Sequence, residues 1–319
     1  MKSITITKNE AGQRLDKFLA KRLPNLPKSL MYKYIRKKRI KLNRKRAEIS
    51  MRLHEGDVLD LYINDEFFER PAPQYDFLHA PKQLNILYED DNLLVLDKKV
   101  GLLSHPDKTE YVDTLITRVK RYLYEKGEYD PEAEDTFTPA LINRIDRNTG
   151  GIVLAAKNAE TLRIMNQKMK DRELHKYYLC VVYGHPHPDE GILEGYLVKN
   201  EEKNRVKILK RPTADAKRIR TKYRVLKKSK DLSLVEVELL TGRTHQIRAH
   251  FASIGCPLLG DGKYGKNEIN RKYGGYKKQF LYSYKLVVDF ETDAGRLDYL
   301  DGRTFEVPDV WFADQFPHF

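Results

Sequence analysis

Residues 141–157 read Leu-Ile-Asn-Arg-Ile-Asp-Arg-Asn-Thr-Gly-Gly-Ile-Val-Leu-Ala-Ala-Lys, and no other stretch restricts the fold as tightly. Asn148, Thr149, Gly150 and Gly151 are turn formers, and glycine lets the backbone adopt angles at which another group can come close. Residues 152–156 carry no polar side chain, so they read as a buried strand starting where the turn ends. Asp146 is thereby held at a strand end between Arg144 and Arg147. Taken alone, such an Asp does no more than shape a turn.

The rest of the chain fits a folded, soluble protein. Its 319 residues are enough for two domains, and 40% apolar with 33% charged residues is not the balance of a disordered chain. The start, Met-Lys-Ser-Ile-Thr-Ile-Thr-Lys, lacks the apolar core of a signal peptide, and no window approaches 18 apolar residues, so a cytosolic protein without a membrane partner is expected. Cys180 and Cys256 each sit in an apolar context with no CxxC partner, which argues for core thiols and against structural zinc. Net charge is +13, and residues 1–62 hold 17 Lys or Arg against 6 Asp or Glu, so 17 − 6 = +11 of it lies in one-fifth of the chain. Such a basic concentration favours polyanions through counterion release.

Leu15, Phe18, Leu19 and Leu23 have helical spacing ended by Pro24, and Ser29 could cap a second helix carrying Met31 and Ile35. Cations Arg36, Lys37, Lys38 and Arg39 follow, then a strand at 40–42, a turn at Asn43-Arg44, and a strand at 58–63. This helix-helix-strand module, roughly residues 12–63, resembles the alpha-L RNA-binding domain shared with a ribosomal small-subunit protein. It departs from that family at Arg44, where Gly is usual. Residues 64–83, with prolines at 71, 73 and 81, read as an extended linker.

Beyond the linker, strands are expected at 86–97, 152–156, 176–184, 216–228 and 232–240, with helices over 114–123 and 159–169 and an acidic loop at 130–135. The connections are too short for helical crossovers, so the sheet should be mainly antiparallel. Ile247, Phe251 and Ile254 define another helix that stops at Gly255 and has Arg243 and His245 at its N-terminal end, a place suited to a carboxylate or phosphate. The glycine-rich turn at 259–265 lacks the Gly-Lys-Ser/Thr ending of a phosphate loop.

Four motifs then stand in one order: Asn143-Arg-Ile-Asp-Arg-Asn-Thr-Gly-Gly151, Lys176-x-Tyr178, Thr241-Gly-Arg-Thr-His-Gln-Ile-Arg248 and Gly260-Asp-x-x-Tyr-Gly265. Together they resemble the RluA-type RNA pseudouridine synthases. Asn143, Ile145, Gly150 and Lys99 depart from residues common in that family. The resemblance implies an α+β protein: a mainly antiparallel mixed-sheet catalytic domain at 84–319 behind the alpha-L domain at 1–63. It implies an isomerase that detaches uracil from ribose at N1 and reattaches it through C5, without cofactor or metal. Asp146 matches the catalytic aspartate, whether it attacks ribose C1′, attacks uracil C6 or assists loss of a ribose proton. Arg243 matches the arginine that pairs with it and would keep it ionised. Tyr178 matches a tyrosine that lies against the flipped uracil and could accept a proton.

The target base must leave its stack, and Arg144 resembles the residue that fills the vacated space. Arg147, Thr149, His245, Gln246 and Arg248, from the same motifs, are expected against RNA, as are Arg36, Lys37, Lys38, Arg39, Lys41, Arg44 and Lys45 of the basic module. Ribosomal RNA of the large subunit is the favoured partner, with transfer RNA open and a monomer the default. A non-catalytic RNA-binding or assembly factor is the alternative. A glycosidase would need a second acid beside Asp146, which the motifs lack.

Overall fold

The computed structural model describes residues 1–69, 75–132, 137–200 and 205–318. The N-terminal part runs β1 (Lys2–Thr5), α1 (Leu15–Arg22), α2 (Lys28–Arg36), β2 (Ile40–Leu42), β3 (Lys45–Arg46) and β4 (Val58–Leu61). The strands form one sheet in the order β1-β4-β2-β3. Leu15, Phe18, Leu19, Met31 and Ile35 turn the apolar sides of both helices onto Ile40, Leu59 and Leu61, which gives this small unit its own core. The α2 cap is Pro27, with Ser29 already inside the first turn. Between β2 and β3 both turn residues are left-handed, Asn43 at φ 50° and Arg44 at φ 65°. That is the turn Asn-Gly makes easily, and Arg44 makes it at a cost of about 1–2 kcal/mol. Arg36 to Arg39, Arg44 and Lys45 are exposed, and Lys41 is half-buried with its ammonium over the Tyr62 ring.

The larger part runs β5 (Ile86–Glu89), β6 (Leu93–Lys98), α3 (Leu115–Glu125), β7 (Ala140–Leu141), β8 (Gly150–Ala156), α4 (Ala159–Asp171), β9 (Leu174–Tyr183), β10 (Glu190–Asn200), β11 (Arg205–Leu209), β12 (Lys217–Lys228), β13 (Leu232–Glu238), α5 (Gln246–Ser253), α6 (Asn267–Lys272), β14 (Leu281–Val288), β15 (Thr304–Glu306) and α7 (Trp311–Asp314). One sheet has the order β11-β10-β12-β13-β9-β14-β8-β6-β5, with β15 on β14 and β7 on β8. Among the described pairs, β8 with β14 is parallel and the others are antiparallel, so the mixed, mainly antiparallel α+β architecture holds. Half of the expected acidic loop at 130–135, residues 133–135, lies outside the described residues. No helix among the described residues is long and apolar enough to cross a membrane.

The apolar run of β8 reflects burial on both faces. Val153 and Ala155 join Leu94, Leu96, Val119 and Phe251 on one side, while Ile152 and Leu154 join Leu93, Val95, Met165 and Leu286 on the other. Helices α3 and α5 cover the first face and α4 the second. Both glycines at the start of β8 are needed for the parallel pairing: a Cβ on Gly151 (φ 110°) would lie 2.1 Å from the Ser283 carbonyl oxygen, and one on Gly150 would lie 2.4 Å from the Tyr282 ring.

The expected linker is only partly that. Phe67 and Phe68 pack on the N-terminal core, whereas Phe77 is buried between Tyr75, Tyr124 and Tyr129 of the larger core. Arg121 and Arg118 fix the same segment by donating to the carbonyls of Ala80 (2.5 Å) and Gln83 (2.8 Å). Sparse, non-periodic aromatics concealed this docking, because a single buried Phe leaves no pattern in the sequence.

Candidate active site

Asp146 lies on the turn between β7 and β8, and that turn is held from below. Lys98, fully buried at the end of β6, donates to the carbonyls of Leu102 (2.7 Å), Arg147 (3.2 Å) and Lys99 (3.3 Å). Ser104 Oγ donates to the Ile145 carbonyl at 3.1 Å, and the Gly101 amide to that of Arg147 at 2.8 Å. The Lys98 amine is thus satisfied by backbone dipoles instead of a carboxylate. Burial pushes its pKa down to about 7, against the pull of Asp146 and Asp97. Asn143 bridges the turn to β8, accepting from the Leu154 amide (2.8 Å) and donating to the Ile152 carbonyl (3.3 Å).

The carboxylate faces a cavity of about 340 Å³, within the range for small ligands. Tyr178 on β9, Lys176, Leu281, Arg243 and His245 line it together with Asp146. The guanidinium on Asp146 is that of Arg248, with Nη1 2.9 Å from Oδ2. This corrects the expected pairing with Arg243, whose side chain is exposed at the same cavity and forms no ion pair among the described residues. Arg248 sits in the first turn of α5 and is 7% exposed. Its Nε and Nη2 hold both oxygens of fully buried Asp261 at 2.7 and 2.9 Å, so one planar fork spans two carboxylates. The Asp261 carboxylate also accepts from the amides of Lys263 (2.8 Å) and Tyr264 (3.0 Å). Burial opposes its ionisation, yet the bonds from Arg248 and these amides hold its pKa below the ordinary Asp value.

Several expected RNA contacts are internal. Gln246 is buried, accepting from Thr241 Oγ1 and the Arg243 amide and donating to the Arg220 carbonyl and Thr221 Oγ1, which fixes the start of α5. Thr149 is buried against Gln279 at 3.2 Å. Arg248 is consumed by the two carboxylates. These three brace the site, and their polar atoms are occupied. Arg144 and Arg147 are exposed at the turn, and Arg147 Nε donates to the Gly101 carbonyl at 3.1 Å. Two motif residues to which the sequence assigned no role belong to the site as well. Lys176 points its amine at the cavity, 3.2 Å from the Met169 sulfur, and burial lowers its pKa. Asp261 could have been suspected from its Gly-Asp turn, but nothing local shows what it grips. Among the described residues no group of three or more His, Cys, Asp or Glu could hold a metal ion.

Burial pushes the Tyr178 hydroxyl up to about 12, so it is a neutral phenol at neutral pH. His245 and His250 are both pushed down to about 4, chiefly by burial. An unfolded histidine titrates near 6.5, so between that value and about 4 the unfolded chain binds protons that the native site refuses. Stability therefore falls as pH is lowered through this window. Urea midpoints measured at pH 7.5, 6, 5 and 4.5 should decline in that order, and a midpoint that is flat from 7.5 to 5 would contradict the burial of neutral imidazoles.

The sequence matches two family profiles, "RNA pseudouridylate synthase" over residues 92–253 and "S4 domain" over residues 13–59. It is 33% identical to "Ribosomal large subunit pseudouridine synthase C" of Vibrio cholerae, over 87% of this chain and 83% of that protein. It is 30% identical to the Escherichia coli protein of the same name, over 85% and 82%. Among solved structures, "Human RNA Pseudouridylate Synthase Domain Containing 1" aligns with a TM-score of 0.55 at 21% identity, covering 76% of this chain and 86% of that one. "Human RNA Pseudouridylate Synthase Domain Containing 4" aligns at 0.53 and 22%, covering 64% and 84%. These two likenesses establish the fold. With the profile spanning half the chain and relatives at 30% identity or more spanning most of it, the chain belongs to the RNA pseudouridylate synthase family, as an isomerase acting on RNA with an N-terminal S4 domain.

Proposed function

We propose that the protein isomerises a uridine of large-subunit ribosomal RNA to pseudouridine, with Asp146 as the catalytic carboxylate acting on a nucleotide turned out of its stack. The observation that carries this reading is the Asp146 carboxylate, 26% exposed at the cavity and anchored to Arg248 from 102 residues further along the chain. In the isomerisation the C1′–N1 bond breaks, a C1′–C5 bond forms, C5 loses its proton and N1 gains one. A paired carboxylate meeting the nucleoside in that cavity supplies the anionic group such a step needs. Tyr178, a phenol at rest, suits the role of a wall against the uracil better than that of a proton acceptor.

The relatives' names favour ribosomal RNA of the large subunit. The test is release of tritium from C5-labelled uridine. Release from ribosomal RNA and none from transfer RNA supports the assignment, whereas the reverse assigns the enzyme to transfer RNA. Release from neither would overturn this assignment of the substrate.

Everting a base costs a few kcal/mol, and the basic face of α2 and the β2–β3 turn is the source of binding energy that offsets it. Replacing Arg36, Lys37, Lys38 and Arg39 by Glu should weaken RNA binding at least about tenfold at physiological salt and flatten the plot of log affinity against log salt. Filter binding across a salt series measures both. An unchanged slope would remove this face from the RNA interface.

A further inference from the structure

The aromatic residue of the Gly260-Asp-x-x-Tyr-Gly265 motif is placed between the backbone and His245. The Val206 amide donates to Tyr264 Oη at 2.8 Å, and Tyr264 Oη lies 2.9 Å from His245 Nδ1. One lone pair of the hydroxyl is therefore taken by Val206, and its single proton needs an acceptor. Among the described residues Nδ1 is the remaining hydrogen-bond partner, and an Nδ1 that accepts this proton leaves a neutral ring with its own proton on Nε2. The ring is kept in place by edge contact with Tyr264, and Tyr264 lies beneath the Arg248 guanidinium, 5.3 Å from its ring centre. His245 itself sits at φ 53°, a left-handed position that turns the ring back toward the β7–β8 turn. Its Nε2 is 3.7 Å from Asp146 Oδ2, the oxygen Arg248 already holds. No donor among the described residues reaches Oδ1.

We propose that His245 is a tautomer-locked hydrogen-bond donor directed at Asp146 Oδ2, so that Oδ1 is the oxygen presented to the nucleoside. His245 is then a positioning residue and not a general base, because the nitrogen facing the site bears a proton and has no free lone pair. At 3.7 Å the two groups face each other just beyond hydrogen-bond range. The charged groups around the ring are Asp146, Arg248, Lys263 and Asp261, and their opposing signs leave burial as the dominant influence. The proposal rests on Asp146 as the catalytic carboxylate, but the tautomer is a property of the folded protein and can be measured apart from turnover.

The experiment is a long-range ¹H–¹⁵N spectrum of histidine-labelled full-length protein, with His245 assigned by its loss in His245→Asn. A protonated Nε2 and a bare Nδ1 down to about pH 5 are expected. In Tyr264→Phe the tautomers should mix, and the titration should move up toward 6.5. A protonated Nδ1 in the wild type would overturn the proposal. Turnover gives the second readout. His245→Gln can keep a donor near Nε2, whereas His245→Asn suits the left-handed backbone better but places its donor near Nδ1. His245→Asn should lose about 100-fold in kcat and His245→Gln clearly less. Equal losses, or a better Asn variant, would refute the donor role. Failure of Asp146 as the catalytic residue would instead appear as an active Asp146→Asn variant with the His245 tautomer unchanged.

Discussion

Asp146→Asn is expected to abolish isomerisation, lowering tritium release by at least about 10⁴-fold, the order lost when a group doing covalent chemistry is removed. The substitution is nearly isosteric. It keeps an oxygen for Arg248 and leaves untouched the Lys98, Ser104 and Asn143 contacts that hold the turn. The fold and RNA affinity should therefore stay within about threefold of wild type, so that the loss falls on kcat. Single-turnover tritium release together with filter binding separates the two. A variant that retains a tenth of wild-type turnover would remove Asp146 from the chemistry, and equal loss of binding and turnover would make it an RNA anchor.

Arg248→Met should cost more stability than any other substitution at the site. It leaves Asp261, 0% exposed, as a buried carboxylate with two backbone amides but no ion-pair partner among the described residues, a situation worth about 3–5 kcal/mol. It also frees Asp146 from the one guanidinium that pairs with it among the described residues, and activity should fall at least about 10³-fold. Arg248→Lys restores charge but cannot grip both Asp261 oxygens while reaching Asp146, so it should recover part of the stability and little of the rate. Arg243→Ala is the contrasting case. Its exposed side chain holds no carboxylate among the described residues, and stability should stay within about 0.5 kcal/mol of wild type. Urea unfolding and turnover on the three variants decide between the arginines. A stable Arg248→Met protein would show that the two-carboxylate fork is not formed in solution.

The expected elements were legible because burial leaves a period in the sequence. The unbroken apolar run of β8 marked a strand covered on both sides, and the repeat of Ile247 and Phe251 marked the inward face of α5. The turn bearing Asp146 was visible from its glycines. The basic N-terminal unit was visible from charge counting, and the family from four motifs in order.

What no local pattern recorded is which arginine meets the carboxylate. Arg243 and Arg248 are five residues apart in one motif, equal in charge and reach. Only the docking of α5, with His245 left-handed at its start and Gln246 tied to β12, turns residue 248 inward and leaves 243 at the rim. Asp261 and Phe77 were hidden for the same reason. A lone buried acid or ring is defined by partners more than a dozen residues away, so its role exists only once those elements are packed. The amino-acid order thus determined the turn bearing Asp146 and those strands and helices that carry an apolar period, because each rests on neighbours in sequence. The tertiary structure decided the charge pairing, because a buried ion pair depends on the distance between groups the chain itself does not join.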